Sequence, residues 1–231
     1  TGIGEGDEVI TSGHTFWATV EAILHCGAKP VLADIKSDGT IDPNLIDELV
    51  TEKTKAIIPV HIAGNVCDME KIMKLAKIYN LKVIEDSAQA IGTKLTGEIA
   101  CFSFYPAKIL GSYGDAGAVV TNNEEIYELI KKLRNHGGKP QPEMLGYNSR
   151  LDNLQAAVLN VKFKYLDESI KRRKWIAGKY NQAVGTNNLR DIYQDYIVFD
   201  PFRDRFRNSL EEQGIECMND VYPFPKEYKS I

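Results

Sequence analysis

The sequence predicts an α/β protein: a mostly parallel central sheet with helices on both faces, followed by a smaller C-terminal α+β region. Three observations carry this. Over the first two thirds of the 231 residues, short apolar runs alternate with amphipathic helical patterns, the order that yields a parallel sheet covered on both sides. Gly, Pro, Asp and Asn stand between those runs, where turns and caps are needed. From about residue 167 the pattern changes to a charged helix, a polar stretch and a tyrosine-rich run. We therefore expect a large domain over 1–166 and the start of a smaller one over 167–231.

The elements follow in order. Gly2-Ile3-Gly4-Glu5-Gly6 reads as a turn, because a glycine motif that binds dinucleotides must follow a strand and open a helix, and here a strand follows it. Residues 8–11 form that strand, and 15–26 a helix that stops at Gly27. Residues 30–35 are the next strand. Asp42 and Pro43 then supply an N-cap and a first-turn proline to a helix presenting Leu45, Ile46 and Leu49 on one face. Residues 55–60 are a strand ending near His61. Asp68 caps a helix whose Met69, Ile72, Met73 and Ala76 share one face. Strands at 82–86, 101–104 and 117–120 follow, then helices at about 123–134 and 151–165. In the last part we expect a helix at 167–180, a strand at 192–198, a helix at 202–213 and a short strand at 215–218.

Composition excludes several classes of function. Hydrophobic residues make up 43% and charged residues 26%, ordinary for a folded globular chain. The formal charge is −4, with no basic tract to attract nucleic acid or an anionic membrane. No apolar run approaches the ~20 residues of a membrane span, and the opening residues lack the pattern of a signal peptide. The cysteines at 26, 67, 101 and 217 form no CxxC pair, so thiols in a reducing cytoplasm are expected rather than disulfides or a zinc site. The histidines at 14, 25, 61 and 136 have no metal-ligand spacing, and no metal is expected. GxSxG and P-loop motifs are absent.

The chemistry is concentrated between Val83 and Gly117. Asp86 falls where an apolar strand reaches the carboxyl edge of the sheet, a costly place for a carboxylate that faces no cation. Lys108 follows a strand, in a loop rich in glycine and aromatics. A free lysine has a pKa of about 10.4 and is a poor nucleophile at neutral pH. Condensation with an aldehyde cofactor removes that difficulty, and pyridoxal phosphate (PLP) needs a lysine for its aldehyde and an acid for its ring nitrogen. Spacing alone fits equally well with Asp86 as a turn cap and Lys108 as a solvated loop residue.

A wider set of segments decides between those readings. Val83-Ile84-Glu85-Asp86-Ser87-Ala88-Gln89-Ala90 and Phe102-Ser103-Phe104-Tyr105-Pro106-Ala107-Lys108 resemble the DegT/DnrJ/EryC1 family of PLP-dependent sugar aminotransferases, which have the aspartate-aminotransferase fold (fold type I). Gly6-Asp7-Glu8-Val9-Ile10-Thr11 with His14-Thr15-Phe16 resembles the family's opening strand and aromatic turn. So do Ala56 to His61, Arg134 to Gly137, and Gly146 to Leu151 through Gln155. Together these segments cover most of residues 2–175 in the family's order.

The resemblance implies roles position by position. Lys108 would bind the cofactor aldehyde and later shuttle a proton, and Asp86 would pair with the pyridine nitrogen. Gln89 would hydrogen-bond the phenolic oxygen, and Ser103 would bind the cofactor phosphate. Phe16 would stack on the ring, and Asn148 would reach the phosphate in the neighbouring subunit of a homodimer with shared active sites. Some relatives carry histidine in place of the lysine and act as dehydratases, so Lys108 argues for transamination. The implied substrate is a nucleotide-linked keto-sugar, with an amino acid, L-glutamate, as amine donor. Alternatives are a PLP enzyme of this fold acting on another ketone, and a non-catalytic regulator that binds the cofactor or a sugar nucleotide. Family members also carry a further N-terminal stretch with a phosphate-binding turn and a longer loop between Gly92 and Ile99. We therefore expect the whole protein to exceed these 231 residues.

Overall fold

A computed structural model describes residues 1–218. Six strands form one sheet: β1 (Glu8–Ser12), β2 (Lys29–Ala33), β3 (Thr54–Ile58), β4 (Lys82–Asp86), β5 (Ile99–Ser103) and β6 (Gly117–Thr121). Their spatial order is β2-β1-β3-β4-β5-β6. Every neighbouring pair is parallel except β5 with β6, which are antiparallel.

The helices cover both faces because successive strand residues point to opposite sides. Ile10, Ile57 and Val83 pack with Ile46 of α2 (Ile46–Leu49) and with Met69, Ile72 and Ala76 of α3 (Met69–Tyr79). On the other side, Val9 and Ala56 pack against Ile23 of α1 (Trp17–His25). The expected caps are in place: the Asp68 side chain accepts from Lys71 N–H, and Asp42 from Asn44 N–H. After Pro43 the chain makes a 3₁₀ turn (Pro43–Leu45) before the single turn of α2. The helix expected over 42–49 is therefore two short pieces.

After β6 come α4 (Glu124–Leu133), α5 (Asn153–Phe163), α6 (Leu166–Val184) and α7 (Arg203–Glu212). Asn123 caps α4 through both Glu125 and Ile126 N–H. No described helix is long and apolar enough to cross a membrane.

The strands expected at 192–198 and 215–218 are not formed. For the first, the reason is where its backbone hydrogen bonds go. Ile192 N–H donates to Gly64 O and Gln194 N–H to Ala63 O, so the segment is laid onto a 3₁₀ turn (Ile62–Gly64) rather than onto a strand. Ile215 N–H bonds back to Leu210 O at the end of α7.

Candidate active site

In an open parallel sheet, ligands bind beyond the carboxyl ends of the strands, where the strand order reverses. Here the reversal lies between β1 and β3, since the chain goes from β1 out to β2 and returns on the other side of β1 to form β3. The carboxyl ends of β1, β3, β4 and β5 carry Phe16 and Thr19, His61 and Ala63, Asp86 and Gln89, and Ser103 and Lys108.

Asp86 is the last residue of β4. Its backbone is fixed between Pro59 O and His61 N–H. Its Oδ2 accepts from Thr19 Oγ1 at 2.7 Å and its Oδ1 from Ala88 N–H at 3.1 Å. Asp86 therefore does cap the turn, while its other oxygen is aimed at α1. Thr19 is buried beside Thr15, their hydroxyls 2.7 Å apart.

Beneath this turn lies a fully buried pair, with His61 Nε2 2.8 Å from Glu85 Oε2. His61 Nδ1 accepts from Cys67 N–H, which assigns the ring proton to Nε2, donating to Glu85. Glu85 Oε1 accepts from Thr96 and Gly97 N–H. These hydrogen bonds outweigh burial and hold the Glu85 carboxyl below its ordinary range. Gly97 permits the close approach, since a Cβ there would sit 3.0 Å from Glu85 Oε1. Gln89 is buried, and its Oε1 accepts from Ala63 N–H. Donation by Gln89 falls to its Nε2. The Ser87 hydroxyl, between Asp86 and Gln89 in sequence, is buried without a hydrogen-bond partner among the described residues.

Lys108 lies in a tight loop after β5. Lys108 N–H donates to Tyr105 O and Ser112 N–H to Phe104 O. A Cβ at Gly111 would fall 2.3 Å from Pro106 O, so this closure requires glycine. Ile109 and Leu110 pack with Leu159 of α5 and with Leu166 and Ile170 of α6. The Lys108 side chain is half-buried, and among the described residues no hydrogen bond or ion pair holds its amine. Burial pushes the amine below its ordinary pKa, against the pull of Asp195 and Asp86 towards the charged form.

The structure thus brings Asp86, Gln89 and Lys108 to one sheet end. Ser103 ends β5 and its Oγ accepts from Tyr105 N–H at 3.3 Å. Phe16 stands at the N-cap of α1 with 59% of its surface exposed. Asn148 is exposed in a separate loop, bridged to Asn135 and accepting from Arg150 Nε. Sequence reasoning missed Thr19, Gln194 and Asp195. For Thr19, in the first turn of α1, the available signal was its four-residue spacing from Thr15 in the turn just before the helix. The other two are brought in by tertiary folding alone.

A strand-end carboxylate and, at the same sheet end, a half-buried amine unpaired among the described residues, on a sheet of this topology, define a protein of the aminotransferase fold class. The chain belongs to the DegT/DnrJ/EryC1/StrS aminotransferase family, whose sequence profile matches residues 1–219. It is 45% identical over 246 residues to a pleiotropic regulatory protein of Geobacillus stearothermophilus, covering 97% of this chain and 66% of that one. It is 37% identical over 244 residues to the dTDP-3-amino-3,4,6-trideoxy-alpha-D-glucose transaminase of Streptomyces venezuelae, covering 97% and 64%. The crystal structure of S. venezuelae DesV superposes with a TM-score of 0.92 at 37% identity, over 99% of this chain and 67% of that one. Bacillus subtilis NtdA, solved with bound cofactor PMP, gives 0.85 at 35%, over 92% and 54%. The chain thus spans about two thirds of the length of the relatives it matches.

Proposed function

We infer that this chain is part of a PLP-dependent aminotransferase that converts a nucleotide-linked keto-sugar to an amino sugar. The observation that carries the reading is the half-buried Lys108 amine, unpaired among the described residues, at the same sheet end as Asp86 and in the field of Asp195 and Asp86. The donor set fits the cofactor: an amine for the aldehyde, a carboxylate for the ring nitrogen, a carboxamide and hydroxyls for its oxygens, and an exposed ring in Phe16. When bound, PLP supplies an electron sink.

The chain's own residues would do the rest. Lys108, its amine kept more neutral by burial, would hold the aldehyde carbon and then move a proton through Nζ. Asp86, its carboxylate braced by Thr19 and Ala88, would keep a proton on the ring nitrogen. Gln89 would donate from Nε2 to the phenolic oxygen, Ser103 would bind phosphate, and Phe16 would cover the ring. The same reading takes L-glutamate as amine donor, a cytoplasmic location and a homodimer in which Asn148 reaches the partner's phosphate site. It also takes residues 1–166 as the large cofactor-binding domain, with a smaller one starting at 167.

The transaminase name of the S. venezuelae relative supports this substrate class. The regulatory name of the G. stearothermophilus relative favours a second reading, a non-catalytic regulator built on the same scaffold. Reconstitution with PLP, a visible spectrum and borohydride reduction separate the two. We expect a yellow protein with the pyridoxyl group on Lys108, and amination of a keto-sugar nucleotide in a mass-spectrometric screen with glutamate. Labelling of another lysine would refute the assignment. Labelling of Lys108 without turnover of any sugar would favour the regulator.

A further inference from the structure

We propose that Gln194 is a positioning residue for Lys108, its side-chain amide pairing with the two peptide groups that flank the lysine. Gln194 Nε2 donates to Ala107 O at 3.0 Å, and Gln194 Oε1 accepts from Ile109 N–H at 3.1 Å. A primary carboxamide offers one donor edge and one acceptor edge, so it completes this stretch of backbone much as a neighbouring strand would. Lys108 lies between the two bonded groups. Its backbone is held from outside the loop while its amine stays unengaged.

Gln194 is itself firmly placed. It is 9% exposed. Its N–H donates to Ala63 O, and its carbonyl, like that of Tyr193, accepts from Arg173 Nη1 on α6. Next to Ala63, Gly64 has φ +88°, and a Cβ there would meet Ile192 O at 2.5 Å, so the segment can dock this closely only on glycine. Ala63 also donates its N–H to Gln89. One residue, Ala63, therefore ties Gln89 to Gln194, whose side chain in turn holds the lysine loop. The role of Lys108 assigned above underlies this inference, but the pairing concerns backbone geometry and can be tested without the cofactor.

The charged groups bearing on the Lys108 amine are Asp86 at the end of β4 and Asp195, which follows Gln194. Arg173 and Arg190 act on Asp195 in turn. Both carboxylates favour the ammonium form, whereas burial favours the free amine. Release of the loop would hydrate the amine and raise its titration midpoint.

The test compares the full chain with Gln194→Ala and with Gln194→Met, which keeps the buried volume but can make neither bond. In cofactor-free protein, competitive acylation across pH with peptide mass spectrometry gives the Lys108 midpoint, with Lys82 as an internal control. We expect the midpoint to rise in both variants. Half a unit would cut the neutral amine at pH 8 about threefold, and trapping of added PLP on Lys108 by borohydride should slow by a similar factor. A folded variant with the wild-type midpoint and trapping rate would overturn the proposal while leaving the cofactor reading intact. A wild-type chain that takes no PLP on Lys108, with variants whose midpoints still rise, would overturn the cofactor reading and support the clamp. Hydrogen exchange on the unaltered chain tests the clamp even if the variants fail to fold. The Ile109 amide should be protected, and exchange as fast as that of Ala107 would refute the pairing.

Discussion

Removing the Glu85 carboxylate should destabilise the protein more than any single change in the site itself. Glu85→Ala leaves three donors without their acceptor: His61 Nε2–H, Thr96 N–H and Gly97 N–H. His61 is fully shielded, so its orphaned N–H carries the whole desolvation cost of ~1–3 kcal/mol. The two amides are only partly buried and can be re-solvated in part, adding ~1 kcal/mol each. The sum, about 3–5 kcal/mol, matches the usual cost of breaking a buried pair by deleting one partner. For a chain of this size that corresponds to a fall in Tm of roughly 6–20 °C. Glu85→Gln keeps one acceptor but turns an NH2 towards a donor, and should fall between the two. Urea unfolding followed by circular dichroism gives the order wild type, Gln, Ala. The sign of the pH dependence also follows. The Glu85 carboxyl is held below its ordinary value, so its contribution is complete above the usual glutamate range, about 4.3, and is lost as pH falls through the lower folded value. The gap between wild type and Glu85→Gln should therefore narrow below pH 4. A loss under ~1 kcal/mol for Glu85→Ala at pH 7 would refute the account of this pair.

Asp86→Asn preserves the bonds from Thr19 or Ala88 but removes the charge, and should lower kcat/KM by ~10²–10³ with the cofactor still bound. Near-normal turnover would reduce Asp86 to a turn cap. A water-soluble thiol reagent at pH 8 should modify exposed Cys26 in the native protein and spare Cys67 and Cys101. Burial pushes their thiols up to about 12 and about 11, and labelling of Cys67 as fast as Cys26 would contradict the packing of this face. Co-refolding Lys108→Ala with Asn148→Ala chains should restore activity that neither has alone, if Asn148 serves the partner's site. A verified heterodimer without recovery would remove Asn148 from the site.

The first two thirds of the fold was legible because its determinants are local. The apolar runs, the caps at Asp42 and Asp68, and the stop at Gly27 each act within a few residues of where they stand. The strand expected at 192–198 failed for the opposite reason. Its alternating pattern fits a strand, but the choice of hydrogen-bond partner was made by Ala63 and Gly64, far away in sequence. The site divides the same way. Asp86 at a strand end and Lys108 in a glycine-rich loop suggested the chemistry from the residues themselves, Gln89 and Ser103 joined them through the resemblance, and all four stand at one sheet end. Gln194 reaches the site only through tertiary folding, so no spacing rule could reveal it, whereas Thr19 was marked only by its spacing from Thr15. Asn148 was readable only by resemblance, and within one chain it has no contact with the cluster among the described residues.

The clamp on the lysine loop also bears on the order in which the molecule can assemble. Gln194 and Ile109 are 85 residues apart along the chain, and the bond from Arg190 to Ile62 O spans 128. Closing a loop of the shorter length costs ~4 kcal/mol of chain entropy before any contact compensates for it, and contacts of such long range form slowly. The sheet must therefore exist before the last strap is laid across it. A ligand that binds only the finished arrangement adds ~2.7 kcal/mol at a hundred times its Kd, about two thirds of that closing cost. Cofactor supply would then act on maturation as well as on catalysis: chains made without it would linger with the strap open and the lysine loop unbraced.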